Sequence, residues 1–140
     1  MSYTYSQLQI GDSEEFSKTI TEADLLLFAA VSGDMNQLHI NDEYAKTTRF
    51  GKRIAHGALL SGLIPAALTK AFPGSVYISQ YVEFKNPVFI GDTITARVTC
   101  LEKREKNRVI METNCYNQNG VCVLEGKAET KLAREVQPEG

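Results

Sequence analysis

Ile54-Ala55-His56-Gly57-Ala58-Leu59-Leu60-Ser61-Gly62-Leu63-Ile64-Pro65-Ala66-Ala67-Leu68-Thr69-Lys70-Ala71-Phe72 is the longest apolar stretch of the chain. His56, Gly57, Ser61, Gly62, Pro65, Thr69 and Lys70 interrupt it, too often for a membrane span. It reads as a helix from His56 to Ala71 buried inside a protein, with Pro65 removing the hydrogen bond to the Ser61 carbonyl and bending it. A helix apolar nearly all round needs cover on most sides. The residues that follow supply part of it. Pro73-Gly74 makes a turn, and four strand-like runs come next: Val76 to Lys85, Asp92 to Leu101, Arg108 to Tyr116 and Val121 to Leu132. In the second, Ile94, Ala96, Val98 and Cys100 alternate with Thr93, Thr95, Arg97 and Thr99, the period of a half-buried strand. Asn117-Gln118-Asn119-Gly120 joins the last two runs, and its Asn-Gly pair is a strong hairpin signal.

Upstream of the helix, a short strand from Glu15 to Ile20 places Phe16, Lys18 and Ile20 on one side. Thr21 and Asp24 resemble a capping box, with Asp in the usual Glu position, and predict a helix start. Leu25, Leu26, Phe28, Ala29 and Val31 give that helix its apolar face, and Ser32-Gly33 ends it. Asn41 can cap a further short helix through Asp42, Glu43, Tyr44, Ala45 and Lys46. One short strand, helices and a meander of long strands point to an α+β fold, an antiparallel sheet covering one buried helix. The other helices or a second subunit must complete the cover.

With 140 residues the chain holds one domain, 1–140, with a core from about 10 to 132 and loose ends at Met1 to Gln9 and Arg134 to Gly140. Hydrophobic residues at 43% and charged residues at 23% are those of a globular protein, not a disordered one. The net charge of -2, from 15 basic and 17 acidic side chains mixed along the sequence, leaves no footprint for nucleic acid or an anionic membrane. Cys100, Cys115 and Cys122 are odd in number, form no C-x-x-C pair and fall in strand-like runs, as free thiols of a reducing compartment do. Met1 to Asp12 is polar with no apolar core, so no signal peptide is expected and the cytoplasm follows as the default location.

The chain has two histidines, His39 and His56. His39 closes the run Ser32-Gly33-Asp34-Met35-Asn36-Gln37-Leu38-His39, a loop held between two helices and a usual address for a functional site. Asp34 and His39, five residues apart on a folded-back loop, can point at one small molecule such as water and move its proton. Asn36 between them offers both donor and acceptor, to fix the loop or orient a neighbour; equally, Asp34 and Asn36 are residues that make turns. His56-Gly57 stands at the start of the buried helix, where N–H groups are unpaired and the dipole is positive. Gly57 has no side chain, so a ligand oxygen can approach its N–H, an arrangement suited to an oxyanion, although a glycine there also serves tight packing. Asp34, His39 and His56 are ligand types for zinc, but no recognised zinc spacing is present, and neither a metal nor another cofactor is expected.

These motifs resemble the MaoC-like, or hydratase 2, family of (R)-specific enoyl-CoA hydratases. The family's catalytic loop is matched by Phe28 to His39, followed by Ala45. Ile54-Ala55-His56-Gly57-Ala58-Leu59-Leu60 is similar to the opening of its central helix, and Glu83 to Asp92 to its later strand and turn. The resemblance covers about Ile10 to Leu132. Gln37 stands where these enzymes usually carry proline, which predicts a looser loop. Pro65 stands where small or polar residues are common in relatives, which bears on chain-length preference.

The resemblance implies a hot-dog fold, with the sheet wrapped around the central helix and two subunits paired in a homodimer. It also implies an acyl-thioester on coenzyme A or acyl carrier protein, hydrated as a trans-2-enoyl-CoA to the (R)-3-hydroxyacyl-CoA. Asp34 and His39 take the catalytic roles and the Gly57 N–H the oxyanion contact. Asn36, His56, Leu60 and Pro65 are expected around the substrate. A thioesterase of the same fold and a non-catalytic acyl-CoA-binding module are the alternatives.

Overall fold

The structure, a computed structural model, describes residues 1–135. The first strand, β1 (Ser13–Thr19), turns Phe16 and Lys18 to one side, and Ile20 just beyond it is fully buried. Thr21 starts helix α1 (Glu22–Ser32) through a complete capping box: its hydroxyl accepts the Asp24 N–H, and the Asp24 carboxylate accepts the Thr21 N–H. Gly33 ends the helix at φ 81°, a left-handed conformation that suits glycine. The expected apolar face holds only in part. Leu25 and Ala29 are buried, whereas Leu26 and Val31 are exposed, as is Leu27. The apolar run is nearly continuous there and points in all directions, so only the i, i+4 pair meets the core. Two short helices follow, α2 (Gln37–Ile40) and α3 (Asp42–Ala45). Asn41 caps α3 by accepting the N–H groups of Glu43 and Tyr44.

The long apolar stretch forms two helices rather than one bent helix: α4 (Gly57–Ser61) and α5 (Leu63–Ala71), parted at Gly62. Pro65 has no N–H to give the Ser61 carbonyl, so the effect falls one turn upstream, at the acceptor. Gln80 from the next strand donates to that carbonyl at 3.3 Å.

The remaining strands are β2 (Val76–Phe84), β3 (Thr93–Lys103), β4 (Arg108–Tyr116) and β5 (Cys122–Lys131). All pairings are antiparallel, in the order β1-β3-β4-β5-β2. Only β3, β4 and β5 form a meander. β2, expected at its head, lies instead at the far edge beside β5. The segment after β2 crosses back under the helix, bridging Phe89 to Ile54 and bonding Gly91 and Asp92 to Ile20, and so delivers β3 next to β1.

Helix α5 packs against β1, β3 and β4. Its Ile64, Ala67 and Leu68 meet Ile94, Ala96, Val98 and Cys100 of β3 and Val109 and Met111 of β4, all buried. This is the hot-dog arrangement. The first residues are not loose as expected: Leu8 is buried in the core, and the Tyr3 N–H donates to the Ala71 carbonyl at 2.7 Å. Of the tail, residues 136–140 lie outside the described part. All three thiols are free, Cys100 and Cys115 being buried and Cys122 half-buried. Among the described residues no helix is long and apolar enough to cross a membrane.

Candidate active site

The loop after α1 is held by bonds that each span two residues. Ser32 Oγ accepts the Asp34 N–H at 3.1 Å, Asp34 Oδ1 accepts the Asn36 N–H at 3.2 Å, and Asn36 Oδ1 accepts the Leu38 N–H at 3.0 Å. The last of these caps α2, so Asn36 acts on the backbone. Gln37 is the first residue of α2, where proline is favoured because its missing N–H costs nothing. Gln37 instead accepts a hydrogen bond from Asn41 Nδ2 at 2.9 Å, which ties the start of α2 to its end.

Helix α2 carries His39 inward, where it is 8% exposed. Its Nδ1 lies 2.7 Å from the Ile54 carbonyl. A carbonyl only accepts, so Nδ1 bears the proton and Nε2 of the neutral ring keeps a free lone pair. His56 is buried more deeply. Its Nε2 donates to the Asp34 carbonyl at 3.2 Å, and its ring stacks on that of His39, with centroids 3.9 Å apart and planes at 29°. Burial pushes its pKa down; the Asp34 carbonyl bond opposes this, while the neighbouring His39 adds to it. The Asp34 carboxylate, itself exposed, and a ring nitrogen of each histidine lie within 4.8 Å of one another. These donors are of the kind that bind zinc. However, His56 Nε2 is already given to a carbonyl and the rings are stacked face to face, whereas a shared ion would lie in the plane of each ring. The arrangement fits proton transfer better.

A cavity of about 440 Å³ opens beside His39 and reaches Gly57 and Leu60. Gly57 is the first residue of α4, where the helix leaves N–H groups without carbonyl partners. A Cβ on Gly57 would come within 2.8 Å of the Phe84 ring, which packs across it. Thus His39, Gly57 and Leu60 share one cavity and Asp34 joins His39 at its side. Asp34, Asn36, His56 and Pro65 are not among the lining residues; Asp34 meets the cavity only through His39. His56 lies behind His39, and Pro65 sits further along, in α5. Sequence reasoning missed Arg49, Phe84 and Lys85, which do line the cavity. Phe84 and Lys85 stand inside the Glu83-to-Asp92 motif; Arg49 carries no signal beyond its charge.

The model of the MaoC-like domain family matches residues 6–120. The chain belongs to the MaoC-like family. This MaoC-like chain is 44% identical over 127 residues to the (R)-specific enoyl-CoA hydratase of Rhodospirillum rubrum, covering 89% of the chain and 88% of that protein. The mitochondrial 3-hydroxyacyl-[acyl-carrier-protein] dehydratase of Arabidopsis thaliana is 38% identical over 129 residues, covering 89% and 78%. Among solved structures, unliganded R-hydratase PhaJ1 from Pseudomonas aeruginosa superposes with a TM-score of 0.85 at 41% identity, over 97% of the MaoC-like chain and 94% of that one.

Proposed function

We propose that this protein is an (R)-specific enoyl-CoA hydratase, adding water reversibly to a trans-2-enoyl-CoA. The observation that carries the proposal is the convergence of the Asp34 carboxylate and the His39 ring beside a cavity that reaches the first turn of α4. Asp34 and His39 Nε2 are two acceptors for the two O–H groups of one water, which leaves an oxygen lone pair to attack C3. As that bond forms, the C2–C3 π pair moves toward the thioester and charge collects on its oxygen, to which the Gly57 N–H donates. The pair carries the water's proton and returns it to C2 as the carbonyl re-forms; dehydration is the reverse. Acid/base assistance contributes about 10²–10⁴-fold, and one oxyanion donor roughly 3–4 kcal/mol. Leu60 and Val88 suit an acyl chain, and Arg49 and Lys85 suit carrier phosphates. The relatives' names span coenzyme A and acyl carrier protein, and we take coenzyme A.

The test is crotonyl-CoA, followed by loss of enoyl-thioester absorbance with a thiol reagent in parallel. Absorbance falls without thiol release, and an (R)-specific dehydrogenase accepts the product; stoichiometric release of coenzyme A thiol would make the protein a thioesterase instead. The protein adds little background. Burial pushes the Cys115 thiol up to about 12 and raises Cys100 as well, so Cys122 alone has a half-open thiol.

The second copy is part of the proposal. Strand β2 is a sheet edge with Val76, Tyr81 and Phe84 exposed at 62%, 62% and 54%, and such an edge calls for a partner. Light scattering at micromolar concentration then gives twice the chain mass; the mass of one chain would remove the dimer. The free thiols suit a reducing compartment, and the cytoplasm is the proposed location.

A further inference from the structure

We propose that His56 is a positioning residue that sets both members of the Asp34–His39 pair, and is not a substrate contact. The inference rests on the reading of that pair as the acid/base group. His56 occupies the N-cap position of α4 but makes no capping bond through its side chain, so the usual reason for a polar residue there is absent. The ring is turned inward, where it is 2% exposed. Its one hydrogen bond runs from Nε2 to the Asp34 carbonyl, and this fixes the tautomer with Nδ1 as a lone pair. Among the described residues Nδ1 has no hydrogen-bond partner, and the atom is buried. A buried acceptor left unpaired is destabilising, so stability alone would favour an apolar residue at this position.

What the imidazole does there is restrain two neighbours. Its N–H pins the backbone of Asp34, and with it the origin of the carboxylate. Its face restrains His39. The bond from Nδ1 to Ile54 fixes one axis of the His39 ring but leaves rotation about that axis open. Stacking on His56 at 3.9 Å closes that freedom and aims Nε2. Phe28, 4.8 Å from His56, holds the stack from its own side. Protonating His56 would set a cation against the His39 face and leave Nδ1–H without an acceptor, so the ring works in its neutral form.

The test measures kcat and KM separately with crotonyl-CoA for His56→Phe, which keeps a stacking ring without the donor, and His56→Gln, which keeps a donor without the ring. Each lowers kcat by about 10–100-fold, the scale of an ångström-sized misplacement, while KM stays within about threefold. A residue acting only through the pair has little left to lose once the pair is broken. In an Asp34→Asn background, His56→Phe therefore costs less than about threefold further. Nitrogen NMR of the wild type reads the ring with no substitution: the neutral His56 ring carries its proton on Nε2. Either kcat within twofold of wild type for both variants, full additivity with Asp34→Asn, or a proton on Nδ1 overturns the proposal. Near-normal hydration by Asp34→Asn alone would overturn the pair itself, and the inference with it.

Discussion

Asp34→Asn lowers kcat for enoyl-thioester hydration by at least about a hundredfold while the protein stays folded. The substitution is close to isosteric, and the loop's demand on this side chain is met by either residue: Oδ1 has only to accept the Asn36 N–H. The Asp34 backbone keeps its bonds to Ser32 Oγ and His56 Nε2. What disappears is the negative charge and the basicity that let the group take a proton from water. The side chain is exposed, so no buried charge is left unpaired by the change. Stability and activity therefore separate, with the melting temperature holding while turnover collapses. Near-normal turnover in the variant would assign the water to His39 alone and end the two-residue mechanism.

Gly126→Ala lowers the melting temperature by about 10 °C, from a destabilisation of about 3 kcal/mol. Gly126 lies in β5 opposite Val82 of β2. A Cβ built there would fall inside the van der Waals envelope of the Tyr81 carbonyl oxygen, 3.0 Å from the Tyr81 carbonyl carbon and 3.1 Å from Val82 Cα. The obstacle is backbone, which cannot swing aside as a side chain would. Among the described residues strand β2 pairs with β5 alone, so it yields by lifting off the sheet. Phe84 and Lys85 line the cavity at the end of that strand and move with it. Calorimetry at matched protein concentration measures the shift, and hydratase activity falls alongside it. An unchanged melting temperature would mean that the two strands are not this close.

Features governed by neighbours a few residues apart were legible in the chain. The Thr21–Asp24 box, the Gly33 stop, the Asn41 cap and the alternation from Ile94 to Cys100 all depend on local bonds or on strand period, and all appear where the spacing places them. Features set by distant partners were not. The place of β2 at the far edge depends on a crossing that the strand period in β3 cannot encode. Pro65 announced a lost bond, but not that Gln80, from the next strand, takes the freed Ser61 carbonyl where the helix parts at Gly62. In the site, Asp34 and His39 were visible because one loop carries both. The stacking of His56 on His39 joins residues 17 apart by packing alone, and Phe84 reaches Gly57 from the end of a strand.

The loop from Ser32 to Leu38 advances in steps of two, each side-chain oxygen catching the N–H two residues ahead. The bonds of this series stay within the loop, so its internal spacing depends on its own count of residues, while His56 anchors it from outside at the Asp34 carbonyl. One residue added or removed would put an acceptor where no donor waits, and every later step would slip with it. Drift at this site is therefore channelled into exchanges of side chain, Gln37 among them, while the number of residues between the carboxylate and the imidazole is held fixed.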